Sequence, residues 1–117
     1  MIIPIDVNSI PYEFDINLSG KQYTILIEYN QMFDFITVEL KLNGETLAKE
    51  KAVLDEILFK ENYLDENHNK DERFPNEVLF FASDDDNVIR ISLNNISESV
   101  FLYCDTIKEI KEVLKNE

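Results

Sequence analysis

Strict alternation of apolar and polar residues between positions 12 and 42 is the feature that most constrains this chain. A period of two places one row of side chains in a core and the other row towards solvent or a partner. Ser19-Gly20 and Asn43-Gly44 interrupt the alternation, and Asn-Gly is a strong hairpin signal because both residues tolerate a positive φ. The pattern predicts an antiparallel β-meander whose core contains Phe14, Ile16, Ile25, Ile27, Val38 and Leu40.

Further strands are predicted beyond the meander, at 45–52, 77–82, 88–93 and 100–103. In the third of these, Ile89, Ile91 and Leu93 should share one face. Residues 53–59 fit either a helical turn or an irregular strand. The polar stretch 61–75 is rich in turn-forming residues and predicts a long loop.

The apolar period changes at the C-terminus. Ile107, Ile110, Val113 and Leu114 form a stripe with helical spacing, and Thr106 with Glu109 has the spacing of a capping box. These features predict an α-helix over 105–116.

The predicted fold class is mainly β, a small antiparallel barrel or sandwich of about six to eight strands built on the N-terminal meander, with one C-terminal α-helix. The 117 residues suit one β-rich domain over 1–117.

The charge balance excludes several classes of partner. The chain has 24 acidic and 11 basic residues and a formal net charge of −13, so it cannot supply the clustered cations that bind a phosphate backbone. The same charge is repelled by an anionic membrane surface. Pro4 and Asp6 interrupt the first apolar stretch, and no apolar run has the length of a membrane span, so we expect a soluble protein made in a bacterial cytoplasm.

No group of residues predicts catalysis or a cofactor. The single histidine, His68, lies in the polar loop without an orienting partner in sequence, and the single cysteine, Cys104, lies in an apolar strand-like run that predicts a buried, inert thiol. Asp84, Asp85 and Asp86 lack the glycine and the glutamate of a calcium loop and predict a tight turn. We therefore expect neither an enzyme nor a metal site.

Several segments taken together resemble the baseplate plug proteins of contractile phage tails. The segments that carry the resemblance are Ile3-Pro4-Ile5, Ile10-Pro11, the run from Tyr12 to Gly20, the run from Tyr23 to Asn30, Phe35, Asn43-Gly44 and Leu58-Phe59. Members of that family are small β-rich proteins at the centre of the baseplate, where tail tube, hub and spike meet, and they also occur in phage-derived contractile bacteriocins. The resemblance implies a non-enzymatic subunit that contacts hub, spike or tail tube and is assembled into a phage tail or tail-like particle.

Two other functional classes remain open. One is an acidic inhibitor that mimics nucleic acid and binds a basic protein. The other is a loop-based binding module, for which the 61–75 loop offers Tyr63 and Phe74 as aromatic residues.

For the baseplate role, we expect ring-like copies in the particle, three being the first expectation from the symmetry of such hubs. The predicted contact residues are an N-terminal edge segment and the apolar helix face: Ile2, Ile3, Pro4, Ile5, Ile107, Ile110, Val113 and Leu114.

Overall fold

The computed structural model describes residues 1–63 and 71–106, which contain seven strands and two short 3-10 turns. The strands are β1 (Ile2–Ile3), β2 (Tyr12–Leu18), β3 (Lys21–Asn30), β4 (Phe35–Leu42), β5 (Glu45–Lys51), β6 (Glu77–Ser83) and β7 (Val100–Thr106). The 3-10 turns are Val7–Ser9 and Lys60–Asn62. One sheet has the order β2-β3-β4-β5 and the other the order β1-β7-β6, and every strand pair is antiparallel.

The predicted meander is confirmed, and it forms the four-stranded sheet. Phe14 pairs with Ile25, and Ile25 pairs with Leu40 on its other side, so the apolar rows of three strands share one face. Ile25 and Leu40 are fully buried, as are Ile27 and Val38. Phe14 is half-buried, like Ile16, and both pack against the core from the edge strand β2.

The two sheets pack over a shared core. After β5, the Ala52 N–H donates to the Ile36 carbonyl of the first sheet (2.9 Å), and the Asp55 N–H then donates to the Phe81 carbonyl of the second (2.8 Å). Buried residues from both sheets belong to one hydrophobic cluster. The architecture is therefore a two-layer β arrangement, and within 1–63 and 71–106 the strands do not close into a barrel.

The hairpin between β4 and β5 has the predicted chemistry. Asn43 (φ 53°) and Gly44 (φ 81°) both have positive φ, as a type I′ turn requires. Nothing lies within 4 Å of a Cβ placed on Gly44.

Gly44→Ala should therefore lower the free energy of unfolding by about 1 kcal/mol, through left-handed backbone strain alone. Urea denaturation measures this loss, and Asn43→Gly is the control, because asparagine already tolerates the conformation and little change is expected. Equal losses in both variants would contradict the explanation.

The predicted strand at 88–93 is wrong. This segment has no strand, and Ile89 is 86% exposed whereas Ile91 is buried, so the two side chains do not share a face. The side chain of Asn95 accounts for the difference. Its amide donates to the Arg90 carbonyl, and its Oδ1 accepts from the Ser92 N–H, each at 2.9 Å. Main-chain groups that a strand would offer to a neighbour are satisfied locally instead.

The start of the predicted helix over 105–116 is also wrong. Asp105 and Thr106 belong to β7, where Thr106 pairs with Glu77 of β6. The rest of that prediction, with Ile107, Ile110, Val113 and Leu114, lies outside the described residues. Within the part of the chain that the structure describes, no element is an α-helix.

The loop predicted over 61–75 is described only at its two ends. Its first residues finish the second 3-10 turn, and Tyr63 and Phe74 are buried against one another, with ring centroids 5.1 Å apart. These two aromatic rings belong to the core and do not present a ligand-binding face.

Candidate interaction surface

The N-terminal segment lies at an edge of the three-stranded sheet. Ile2 pairs with Tyr103 and Ile3 with Leu102. The Met1 carbonyl accepts from the Cys104 N–H (2.8 Å), and the Met1 amino group donates to the Cys104 carbonyl (3.2 Å). Since the hydrogen bonds of an antiparallel pair alternate along the strand, the main-chain groups of Ile2 face the free edge.

Side-chain burial divides the predicted contact residues of this segment into two groups. Ile3 and Ile5 are buried in the core, whereas Ile2 is 49% exposed and Pro4 is also exposed. The Ser97 hydroxyl donates to the Ile5 carbonyl (2.8 Å), so the segment remains tied to the domain after β1 ends. Ile2 and Pro4 are therefore the residues that the segment presents outward.

An apolar groove of about 230 Å³ runs beside this edge. Its walls come from the N-terminal segment and from the chain at the start of β7, and they include Ile2, Pro4, Ile96, Val100 and Phe101. Pro4 has no N–H, so the edge offers a new strand few donors beyond Ile2. This geometry suits a side-chain contact with a partner better than extended β-pairing.

The single thiol lies behind this surface. Cys104 is buried and free, and burial raises the pKa of its thiol, with a further rise from the charge of Glu77. A nucleophilic thiol needs a lowered pKa. The arrangement agrees with the inert side chain that the sequence predicts.

Other candidate chemistry is sparse in the described part of the chain. Asp84, Asp85 and Asp86 are exposed in the turn after β6, and no group of three or more potential metal ligands occurs among residues 1–63 and 71–106. His68 lies outside the described residues. No helix in the described ranges is long and apolar enough to cross a membrane.

The sequence did not predict the exposure of three apolar residues in the loops between strands. Phe33 is 68% exposed in the loop between β3 and β4, next to Met32 at 83%. Ile89 was assigned to a strand and is exposed in the loop between β6 and β7. The position of Met32-Phe33 between two alternating runs was the available signal, since hairpin loops lie at the surface.

Comparison with known proteins gave one family. The family model described as cyanophage baseplate Pam3 plug gp18 matches residues 1–108, a range that includes all seven described strands. A search of the curated proteins found no match.

Proposed function

The chain belongs to the family of the cyanophage baseplate Pam3 plug gp18, and from this premise we propose that it is a non-enzymatic structural subunit of a contractile phage baseplate. The proposed position is the junction of tail tube, hub and spike, and the proposal includes the same role in a bacteriocin-like particle. The observation that carries it is the family match over 1–108, because a match of that length covers the whole described fold.

The geometry of the N-terminal edge supports a role in assembly. Ile2 is half-exposed beside an apolar groove, while Ile3 and Ile5 anchor the same segment in the core. A partner that covers Ile2 and Pro4 removes apolar surface from water without ordering a flexible chain, which lowers the entropic cost of association. We propose that this edge contacts another baseplate protein.

Incorporation into particles tests the proposal. Particles from a phage that lacks this gene are complemented with the wild-type chain or with Ile2→Glu, purified, and analysed by quantitative mass spectrometry. We expect the wild-type chain in the baseplate and a several-fold lower amount of the variant, since a carboxylate at the edge opposes burial. Asn17→Glu is the control, because it adds the same charge at an exposed position of β2 away from the edge.

Two results would contradict the proposal in different ways. A wild-type chain that never copurifies with tail components contradicts the baseplate role itself. Equal incorporation of wild type, Ile2→Glu and Asn17→Glu leaves the baseplate role standing and contradicts the contact at the N-terminal edge. Thermal melting of each purified chain separates loss of contact from loss of folding.

Symmetry and charge support a proposal for the assembly state. Identical subunits on a tail axis favour a closed ring, and we propose three copies in the particle. Because each chain carries a net charge of −13, self-association without other baseplate proteins is opposed by repulsion. Light scattering of the isolated chain should therefore report a monomer.

The alternative function as a nucleic-acid mimic has less support from the structure. On the outer face of the four-stranded sheet, Lys41 lies 3.5 Å from Glu13 and Lys49 lies 3.0 Å from Glu28. A mimic needs carboxylates that are free to meet a basic partner in phosphate-like positions. Here lysines are interspersed among the carboxylates and partly neutralise that face.

A further inference from the structure

Three large apolar side chains are strongly exposed in two loops. Met32 (83% exposed) and Phe33 (68%) lie between β3 and β4, and Ile89 (86%) lies between β6 and β7. Single exposed apolar residues are ordinary, but contiguous apolar patches on a soluble surface mark binding sites.

Asp34 joins the two loops. Its Oδ2 accepts from Arg90 Nη1 at 2.8 Å, and its carbonyl oxygen also accepts from Arg90 Nη2. Phe33 and Ile89 are the chain neighbours of these bonded residues, so the two loops meet at this point. We call Met32, Phe33 and Ile89 the tip patch.

The loops are held in place before any partner binds. The Tyr29 hydroxyl donates to Asp34 Oδ1 (2.8 Å), and the Phe33 N–H donates to Asn30 Oδ1 (3.1 Å). The hydrogen bonds from Tyr29 and from Arg90 lower the pKa of Asp34, so these bonds favour its ionised carboxylate. A patch on ordered loops loses little conformational entropy on binding.

Exposed carboxylates lie in the β6–β7 loop that carries Ile89 and beside the end of β6. Asp84, Asp85 and Asp86 are exposed just before Ile89, and the Val88 N–H donates to the Asp85 carbonyl at 3.0 Å, which closes the turn. On the other side of β6, the Asp55 N–H donates to the Phe81 carbonyl, so exposed Asp55 lies near the same end. The tip patch is therefore apolar with a mainly acidic rim, in which Arg90 is paired with Asp34.

We propose that the tip patch is a second docking surface, which binds an apolar pocket rimmed by lysine and arginine on a different baseplate protein. The inference rests on the proposed function and assigns it a second contact that shares no residue with the N-terminal edge. The acidic rim selects the occupant, because it repels a second copy of this chain, nucleic acid and anionic lipid, and it attracts a basic protein surface.

Site-specific photo-crosslinking in assembled particles identifies the molecule that contacts the tip patch. Phe33 is replaced by a photoreactive phenylalanine derivative of similar shape, particles are illuminated, and the crosslinked peptides are identified by mass spectrometry. We expect crosslinks to one other baseplate protein, at an apolar site flanked by basic residues. The same derivative at Asn17, on an exposed position of β2, should give none with that protein.

The failure of this inference differs from the failure of the proposed function. The chain could be incorporated into particles and yet crosslink from position 33 to its own copies, to phospholipid or to nothing. That result overturns the docking role of the tip patch and leaves the baseplate role intact. A chain that is absent from particles overturns both.

The affinity for the crosslinked protein then measures how much the tip patch contributes to binding. Phe33→Ala should weaken binding at least about tenfold, as expected for an exposed aromatic anchor that becomes buried in a pocket. Replacing Asp84, Asp85 and Asp86 with Asn should slow association and reduce its salt dependence. Asn17→Ala should change neither quantity. If Phe33→Ala and the variant with Asn at positions 84–86 both bind with wild-type affinity, the proposal is overturned.

Discussion

Phe81→Ala is expected to lower the free energy of unfolding by about 3–5 kcal/mol, as for buried aromatic residues in other cores. Phe81 is fully buried in β6, where it pairs with Leu102 on one side and its carbonyl accepts from the Asp55 N–H on the other. Main-chain bonds on both sides limit how far the site can collapse, so a cavity should remain. Small domains have a total stability of about 5–15 kcal/mol, so this single change removes a large part of it.

Phe33→Ala is the matched control, since it removes the same atoms from a ring that is 68% exposed. Its expected effect on the free energy of unfolding is below about 0.5 kcal/mol. Urea denaturation of the three proteins measures both effects. If the two variants lose similar stability, the assignment of the Phe81 side chain to the buried core is wrong. The pair also separates folding from docking, because only Phe33→Ala should weaken partner binding in a chain that remains folded.

The local sequence was sufficient to predict the four-stranded sheet. The period of two determines which side chains face inward, and a shift of one residue would expose the whole buried row. The two turn pairs, Ser19-Gly20 and Asn43-Gly44, have the positive φ values that set the register of the flanking strands. Both signals lie within a few residues of the strands they define, so the sequence alone could predict this part.

Long-range and side-chain contacts explain where the sequence prediction failed. At 88–93 the apolar alternation favoured a strand, but Arg90 bonds to Asp34, 56 residues away, and Asn95 satisfies nearby main-chain groups. Neither partner can be recognised from spacing. The same contact joins the loop that carries Ile89 to the loop that carries Phe33, which is why the sequence did not predict the tip patch.

The N-terminal edge was foreseen only in part. The sequence predicted an N-terminal edge segment, and β1 does lie at the edge of its sheet. The sequence could not distinguish Ile2 from Ile3 as a contact residue, because that depends on the pairing with β7, which lies about a hundred residues later in the chain. Whether the edge contacts a partner stays a prediction.

Tyr63→Ala should cost about 3–5 kcal/mol of unfolding free energy, and Tyr63→Phe about 1–2 kcal/mol. Tyr63 is 1% exposed, its ring packs against Phe74, and its hydroxyl donates to the Glu77 carbonyl at the start of β6. The alanine variant loses the ring and the hydrogen bond, whereas the phenylalanine variant loses only the hydrogen bond. The difference between the two variants therefore isolates the contribution of the buried ring.

The hydroxyl of Tyr63 also predicts a pH dependence. Its pKa is raised above the ordinary tyrosine value, chiefly by burial, so the folded protein keeps this proton to higher pH than the unfolded chain does. As the pH rises above about 10, the unfolded state loses the proton first and the free energy of unfolding falls. Tyr63→Phe removes that contribution, so the gap between wild type and variant should narrow from pH 8 towards pH 11 (roughly the tyrosine range) in urea denaturation. Burial also raises the pKa of Tyr23, which should leave a residual alkaline slope in the variant. A gap that stays constant over this range would show that the Tyr63 hydroxyl titrates alike in both states, and would contradict its burial beneath β6.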